Sequence, residues 1–202
     1  VAEGHAYVIS AVDGSSTGLL IIDITDPAAL VATGTYSTTC NAYDIKASDN
    51  YAYVADYNNG LVIVNITDPA ALRIEGSIDT AGHAYDIDVA GNYAYMANSG
   101  LTILNITDPK LPQIESSYYN DSYDVAGVAV KDNYAYMASV FGGLLIVNTT
   151  DPAAPVYAGS YATDDAQSVD ISGNYAYIAN GFSGLFVVDI SDPAAPAYVS
   201  HY

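Results

Sequence analysis

Tryptophan is absent and cysteine occurs once, at Cys40. A single thiol closes no internal disulfide, so cysteine says little about redox compartment. Cations are scarce: 4 Lys+Arg stand against 23 Asp+Glu, a net charge of -19 over 202 residues. Four cations cannot neutralise a phosphate backbone, which excludes nucleic acid as a partner. The same deficit disfavours an anionic membrane surface. No apolar run reaches the roughly 18 residues of a spanning helix, so no membrane insertion is expected. No signal peptide is recognisable, and Val1 stands where Met would, which reads as a mature, trimmed or excised chain. What is abundant is apolar and aromatic: hydrophobic residues make up 51%, and there are 20 Tyr. Such a chain can bury enough surface to fold, and intrinsic disorder is excluded.

The chain copies itself. Tyr51-Ala52-Tyr53 returns as Tyr93-Ala94-Tyr95, Tyr134-Ala135-Tyr136 and Tyr175-Ala176-Tyr177, with His5-Ala6-Tyr7 as a fifth version. After each triplet comes a Gly and an apolar run (Gly18-LLIID, Gly60-LVIVN, Gly100-LTILN, Gly143-LLIVN, Gly184-LFVVD). Each run leads into an Asp-Pro turn at Asp26-Pro27, Asp68-Pro69, Asp108-Pro109, Asp151-Pro152 or Asp192-Pro193. A period of about 40–50 residues points to solenoids, propellers or arrays.

Each unit reads as four short antiparallel strands, A to D. In the second copy, strand A covers 42–47, B 51–55, C 60–66 and D about 72–78. The runs are rich in Val, Ile and Tyr and bounded by Gly, Asn, Asp and Pro, with no sustained helical period. Proline after strand C cannot donate to a ladder and stops it. The Asn before strand B (Asn50, Asn92, Asn133, Asn174) is expected to take positive φ. Strand C is apolar without alternation, as expected when both sheet faces are covered. A four-stranded sheet with two apolar faces needs neighbours, and radial stacking of such blades makes a β-propeller. The expectation is one all-β domain over 1–202, a β-propeller of four-stranded blades, most simply five. The repeats run approximately 1–41, 42–83, 84–124, 125–165 and 166–202. The first copy lacks most of its strand A, so either a five-bladed ring makes the strand good elsewhere or the chain is part of a larger propeller.

The Gly-Leu-x-Ile-Val-Asn/Asp-Ile-Thr/Ser-Asp-Pro segments resemble LVIVD repeats in all five copies. That resemblance implies β-propellers in secreted or cell-surface proteins of bacteria and archaea, mostly without assigned chemistry, and it brings no catalytic residues. The Asp of the family's name is replaced by Asn65, Asn105 and Asn148.

Candidate chemistry is sparse. Gly14-Ser15-Ser16-Thr17-Gly18 matches G-x-S-x-G, but a strand follows it where a nucleophile elbow needs a helix, so it reads as a B–C loop. By strand alternation the B–C and D–A loops share one face. They carry Asp13, Asp56, Asn58, Asn59, Asp79, His83, Asn120, Asp121, Asp124, Asp164 and Asp165. Hard oxygen donors of this kind suit Ca²⁺, with Asp56 and Asn58, Asp121 and Asp124, or Asp164 and Asp165 as ligands. The plainer reading is turn chemistry. Asp44 and Asp86 share a slot in strand A, the innermost strand of a blade. There they could hold a cation or a ligand's polar group, or merely line a wet channel. Sequons place possible glycans at Asn65, Asn105, Asn120 and Asn148. Three of these share the slot that ends strand C, where Asp23 and Asp189 stand in the other copies. A short side-chain oxygen that caps the turn explains that slot equally well. Three dispersed His make no zinc site. Tyr57, Tyr118, Tyr119 and Tyr123, in or near loops, could form an aromatic sugar- or partner-binding stripe.

No coherent acid, base and nucleophile set is present, so no enzyme is expected. The reading is an extracellular or cell-surface structural and interaction module, contacting other proteins, glycans or copies of itself as a filament or lattice. The alternative is a calcium-dependent adhesin binding glycans or proteins through the acidic loop face.

Overall fold

The computed structural model describes residues 4–11, 17–38, 41–119 and 124–202. Among them are nineteen β-strands and no α-helix; the only helical pieces are two single 3₁₀ turns, Pro69–Ala71 and Gly181–Ser183. The strands form five antiparallel sheets in chain order, the blades of a β-propeller. Blade 1 has β1 (His5–Ala11), β2 (Thr17–Asp23) and β3 (Val31–Ser37); no strand A precedes β1 among the described residues. Blade 2 has β4 (Asp44–Ser48), β5 (Tyr51–Ala55), β6 (Leu61–Asn65) and β7 (Arg73–Ile78). Blade 3 has β8 (Asp86–Ala90), β9 (Tyr93–Ala97), β10 (Leu101–Asn105) and β11 (Gln113–Tyr118). Blade 4 has β12 (Val125–Lys131), β13 (Tyr134–Ser139), β14 (Gly143–Asn148) and β15 (Val156–Tyr161). Blade 5 has β16 (Ser168–Ser172), β17 (Tyr175–Ala179), β18 (Leu185–Asp189) and β19 (Ala197–His201).

Contacts divide the chain into two compact units, residues 1–87 with 106–113, and residues 88–105 with 114–202. In the first, Leu19 and Ile21 of β2, with Tyr7 and Ile9, pack on Ala52, Val54, Val62 and Val64 of blade 2. The second repeats this packing twice. Tyr95, Ala97, Leu101 and Ile103 meet Ala135, Met137, Leu145 and Val147. Tyr136, Ala138, Leu144 and Ile146 meet Ala176, Ile178 and Val188. The Tyr-Ala-Tyr triplet is thereby explained. Its second Tyr fills space toward the following blade, and its Ala leaves room for the side chains of the preceding one, so large and small groups interdigitate. Every residue of β6 is buried.

The turns carry their own hydrogen bonds. In all five Asp-Pro turns the Asp Oδ1 accepts from the N–H two residues on: Asp26 from Ala28, Asp68 from Ala70, Asp108 from Lys110, Asp151 from Ala153, and Asp192 from Ala194, at 2.9–3.1 Å. The A–B turn departs from expectation. Positive φ falls one residue before the expected Asn, at Asp49 (51°), Gly91 (58°), Asp132 (54°) and Gly173 (56°). A two-residue hairpin loop that follows strand twist needs the left-handed conformation at its first position, where Gly fits and Asp is tolerated.

Candidate interaction site on the loop face

The site is built on the loop from β5 to β6. Asp56 N–H donates to the Gly60 carbonyl (2.9 Å) and Asn59 N–H to the Asp56 carbonyl (2.8 Å), which closes the loop. Gly60 turns the chain at φ 67°, and a Cβ there would lie 2.6 Å from both the Ile78 carbonyl oxygen and the Thr80 nitrogen. Tyr57 sits at φ 44°, unusual for a bulky side chain, and its carbonyl accepts from Ala84 N–H at 3.0 Å. That bond ties the B–C loop of blade 2 to the segment entering β8.

The outcome is an aromatic cluster. The Tyr57 ring stacks on His83 with centroids 4.0 Å apart, and on Tyr43 at 5.3 Å. Tyr85 meets Tyr43 edge-on at 5.5 Å. Tyr43 is exposed, and the other three are part-exposed. Offset and edge-to-face arrangements of this kind make a rigid platform with wet polar tips.

Beside it lies a cavity of about 320 Å³ lined by Tyr36, Asp56, Asn58, Asn59, Val62, Ile74, Ser77 and Asp79. Asp56 is 1% exposed. Its Oδ2 accepts from Asn59 Nδ2 at 2.7 Å, and its Oδ1 has no hydrogen-bond partner. Burial raises its pKa above the ordinary value, and side-chain hydrogen bonds from Asn59 and Thr38 oppose that rise. A buried carboxylate with one unsatisfied oxygen costs stability unless something polar or cationic comes to it.

The other candidate ligands are scattered. No group of three or more His, Cys, Asp or Glu able to hold a metal occurs among the described residues. Asp165 Oδ1 accepts from Gln167 Nε2 (2.7 Å), and Asp124 and Asp164 are exposed. Asp121, Asn120, Asp13, Tyr123, Cys40 and most of the G-x-S-x-G segment lie outside the described residues. Asp44 and Asp86 do come together, around one donor. Ile87 N–H is shared by Asp44 Oδ2 (3.1 Å) and Asp86 Oδ1 (2.8 Å). One blade's carboxylate therefore reaches the next inner strand. Asp88, which no motif in the sequence singles out, repeats the device: its Oδ1 accepts from Val89 N–H (2.9 Å) and its Oδ2 from Val130 N–H (2.8 Å). The aspartate ahead of the turn in β8 was the available signal.

The sequon slot holds turn caps. Asn65 Oδ1 accepts from Thr67 N–H and its Nδ2 donates to Glu75; Asn148 Oδ1 accepts from Thr150 N–H. Asp23 and Asp189 do the same for Thr25 and Ser191; the hydroxyl and then the N–H of Thr25 hold the Asp23 carboxyl below its ordinary pKa, and the N–H and then the hydroxyl of Ser191 do so for Asp189. Asn105 Nδ2 donates to Glu115 at 3.2 Å.

Comparison with known proteins adds the fold's relatives. The LVIVD repeat family model matches residues 1–38, 40–80, 81–120, 124–163 and 164–202. No curated protein matches the chain. Among solved structures, a candidate 6-phosphogluconolactonase from Bacteroides fragilis NCTC 9343 superposes with a TM-score of 0.79 at 14% identity, over 98% of this chain and 67% of that one. A functionally unknown protein from Desulfotomaculum acetoxidans DSM 771 gives 0.73 at 12% identity, over 91% and 62%. PorZ, a bacterial surface component of the type-IX secretion system of Porphyromonas gingivalis, gives 0.62 at 16% identity, over 99% of this chain and 25% of PorZ. The chain thus spans about two thirds or less of each of these proteins. Identities this low show the fold alone.

Proposed function

The chain belongs to the LVIVD repeat family, and from that premise we propose that it is a non-enzymatic extracellular or cell-surface interaction module. The observation that carries this reading is the Tyr43–Tyr57–His83–Tyr85 platform, with the Tyr57 ring held by a backbone conformation that a bulky residue rarely adopts. Tyrosine supplies contact area at low entropic cost, as interaction surfaces require. Among the described residues, the 320 Å³ cavity beside it is lined by the carboxylates Asp56 and Asp79 and by no Lys, Arg, His or Cys. That set supports docking of polar groups better than it supports bond cleavage.

A binding panel of extracellular glycans and proteins, read on immobilised chain, tests the proposal. Binding that Tyr57→Ala abolishes supports it; a panel that is silent, or indifferent to Tyr57→Ala and Tyr43→Ala, refutes it. One observation favours a second reading, a calcium-dependent adhesin: the unsatisfied Asp56 Oδ1 in a polar cavity. In that case calcium raises the melting temperature of the wild type but not of Asp56→Asn, and chelation abolishes binding.

A further inference from the structure

The slot that follows strand B lets the repeat serve as its own control. It holds Asp56 in blade 2, Asn98 in blade 3, Ser139 in blade 4 and Asn180 in blade 5, and all four are buried. The backbone does the same work in three of them. The N–H of Asp56, Asn98 and Asn180 donates to the carbonyl of the glycine just ahead of strand C (Gly60, Gly100 or Gly184) at 2.7–3.1 Å. The neutral side chains find local partners: Asn98 Oδ1 accepts the Thr102 hydroxyl, and Asn180 Oδ1 accepts the Asp165 N–H. The fold therefore needs no charge in this slot. Among these four blades only blade 2 carries one, and burial works against it.

That charge has an unmet oxygen and a space beside it. Asp56 is 1% exposed, its Oδ1 has no hydrogen-bond partner, and it lines the 320 Å³ cavity. Asp79, the cavity's second carboxylate, also stands where other blades carry neutral groups. It follows the residue paired with Leu61, as Ser37 and Ala162 follow the residues paired with Leu19 and Leu144. Among the described residues no Lys, Arg or His lines the cavity. Glu75 on the same strand is served differently, with Arg73 and Lys110 at 3.7 and 3.6 Å. The other walls include Val62, Ile74 and the Tyr36 ring. Burial, and then the Asp56 charge, push the Tyr36 phenol above its ordinary pKa, so the ring is neutral and lies in the field of that carboxylate. A neutral tyrosine face attracts a cation. Calcium takes about 6–8 oxygens, and the apolar walls supply none. An ammonium on an alkyl stem needs fewer acceptors, and its stem packs on apolar surface.

We propose that this cavity binds a primary alkylammonium group, as carried by a lysine side chain of a protein partner. The ammonium donates to Asp56 Oδ1, Asp79 adds its charge, and the stem lies along Val62, Ile74 and Tyr36. A net charge of -19 favours approach of a cationic partner. The inference rests on the interaction-module reading and deepens it by naming the group recognised. Tyr57 adjoins Asp56 in the chain, so the aromatic platform receives the surface around the inserted lysine. It parts from the calcium reading in what fills the site.

Amide shifts of the isotope-labelled 202-residue chain, titrated with Nα-acetyl-lysine methylamide in calcium-free buffer, test it. Saturable shifts are expected at residues 56–60 and 77–79. The Nε-acetylated form of the same probe lacks the charge and should give none. Asp56→Asn installs the residue that Asn98 and Asn180 already carry in this slot, and it should weaken binding by about tenfold or more. Asp79→Asn, at an exposed carboxylate, should weaken it by about twofold to fivefold. n-Butylammonium stands for a free amine; either amine binding supports the site, and the tighter of the two identifies the source. Absence of a saturable shift with both amines overturns the proposal. So does equal binding of the Nε-acetylated probe, or a folded Asp56→Asn that binds undiminished. Calcium that takes the site and resists displacement by excess lysine probe overturns it as well. If Asp56→Asn loses its fold, Asp79→Asn and the acetylated probe decide. Failure of the amines beside panel binding that still depends on Tyr57 overturns this inference alone. A silent panel beside a saturating lysine probe refutes the proposed function and upholds the site.

Discussion

Leu144 and Leu185 occupy the same position of the repeat, at the start of strand C, and differ in what covers them. Truncating each to Ala removes the same atoms from the same register, so the comparison isolates blade-to-blade packing. Leu144 is fully buried among Tyr136, Ala138, Ile146, Ile178 and Val188. Its loss combines the transfer of three carbons, at about 0.8 kcal/mol each, with an unrelaxed cavity, for a total of about 3–5 kcal/mol. Leu185 is 41% exposed, so only the covered part of its transfer energy is lost, and solvent fills the gap. The expected cost is about 1–1.5 kcal/mol. Urea unfolding followed by circular dichroism gives both values, provided the slope of stability against urea is unchanged. The measurement belongs at low protein concentration, where self-association adds nothing to stability. Equal costs at the two positions would refute the claim that the neighbouring blade, rather than the strand's own sheet, supplies the stabilisation. A domain is stable by only about 5–15 kcal/mol, so the Leu144 variant should be visibly marginal.

Ile63 lies fully buried in the centre of β6, and Ile63→Asp places an unpaired charge there; loss of the cooperative thermal transition is expected, and a soluble variant with a normal melt would contradict it. Gly159→Ala brings a Cβ against the Pro193 carbonyl oxygen, so it should destabilise by about 1–3 kcal/mol in urea unfolding, whereas an unchanged midpoint would mean that the turn moves freely. Asp56 has a raised pKa in the folded chain, so the folded state binds its proton more tightly than the unfolded state. Ionised Asp56 therefore costs stability at neutral pH, and the cost disappears as pH falls through the folded pKa to below the ordinary value of 3.8. In metal-free buffer, Asp56→Asn should melt higher than the wild type at pH 7, and the gap should close in acid; a gap that widens in acid would reverse the assignment. Asp23 and Asp189 have the opposite sign: their hydrogen-bonded carboxylates favour folding above 3.8 and lose that contribution as pH falls through their lowered pKa. Asp189→Ala should accordingly flatten the acid limb of the stability profile.

Much of the architecture is legible without coordinates because its causes are local or periodic. Tyr-Ala-Tyr, the glycine-led apolar run and Asp-Pro report strand B, strand C and the stop after it, each through neighbours in sequence. Boundaries in blade 2 agree closely: strand B runs Tyr51–Ala55 as expected, and strand C narrows to Leu61–Asn65. The Asp-Pro turn and the Asx cap after strand C are likewise readable, since donor and acceptor are two residues apart. The candidate site is less so. Tyr57 was recognisable as a loop aromatic, but its stacking partner His83 is 26 residues away and looks dispersed in the sequence.

The amino-acid order by itself determined the repeating unit, its four-strand pattern and the demand for apolar cover on both sheet faces, because strand periodicity and turn chemistry act within a few residues. Tertiary structure alone decided which partner each polar group finds and which faces stay bare. Asp44 finds its donor in Ile87 N–H, 43 residues on, which no local pattern announces. Leu144 and Leu185 are equivalent in every local respect, and only the tertiary structure shows one fully buried against blade 5 and the other 41% exposed.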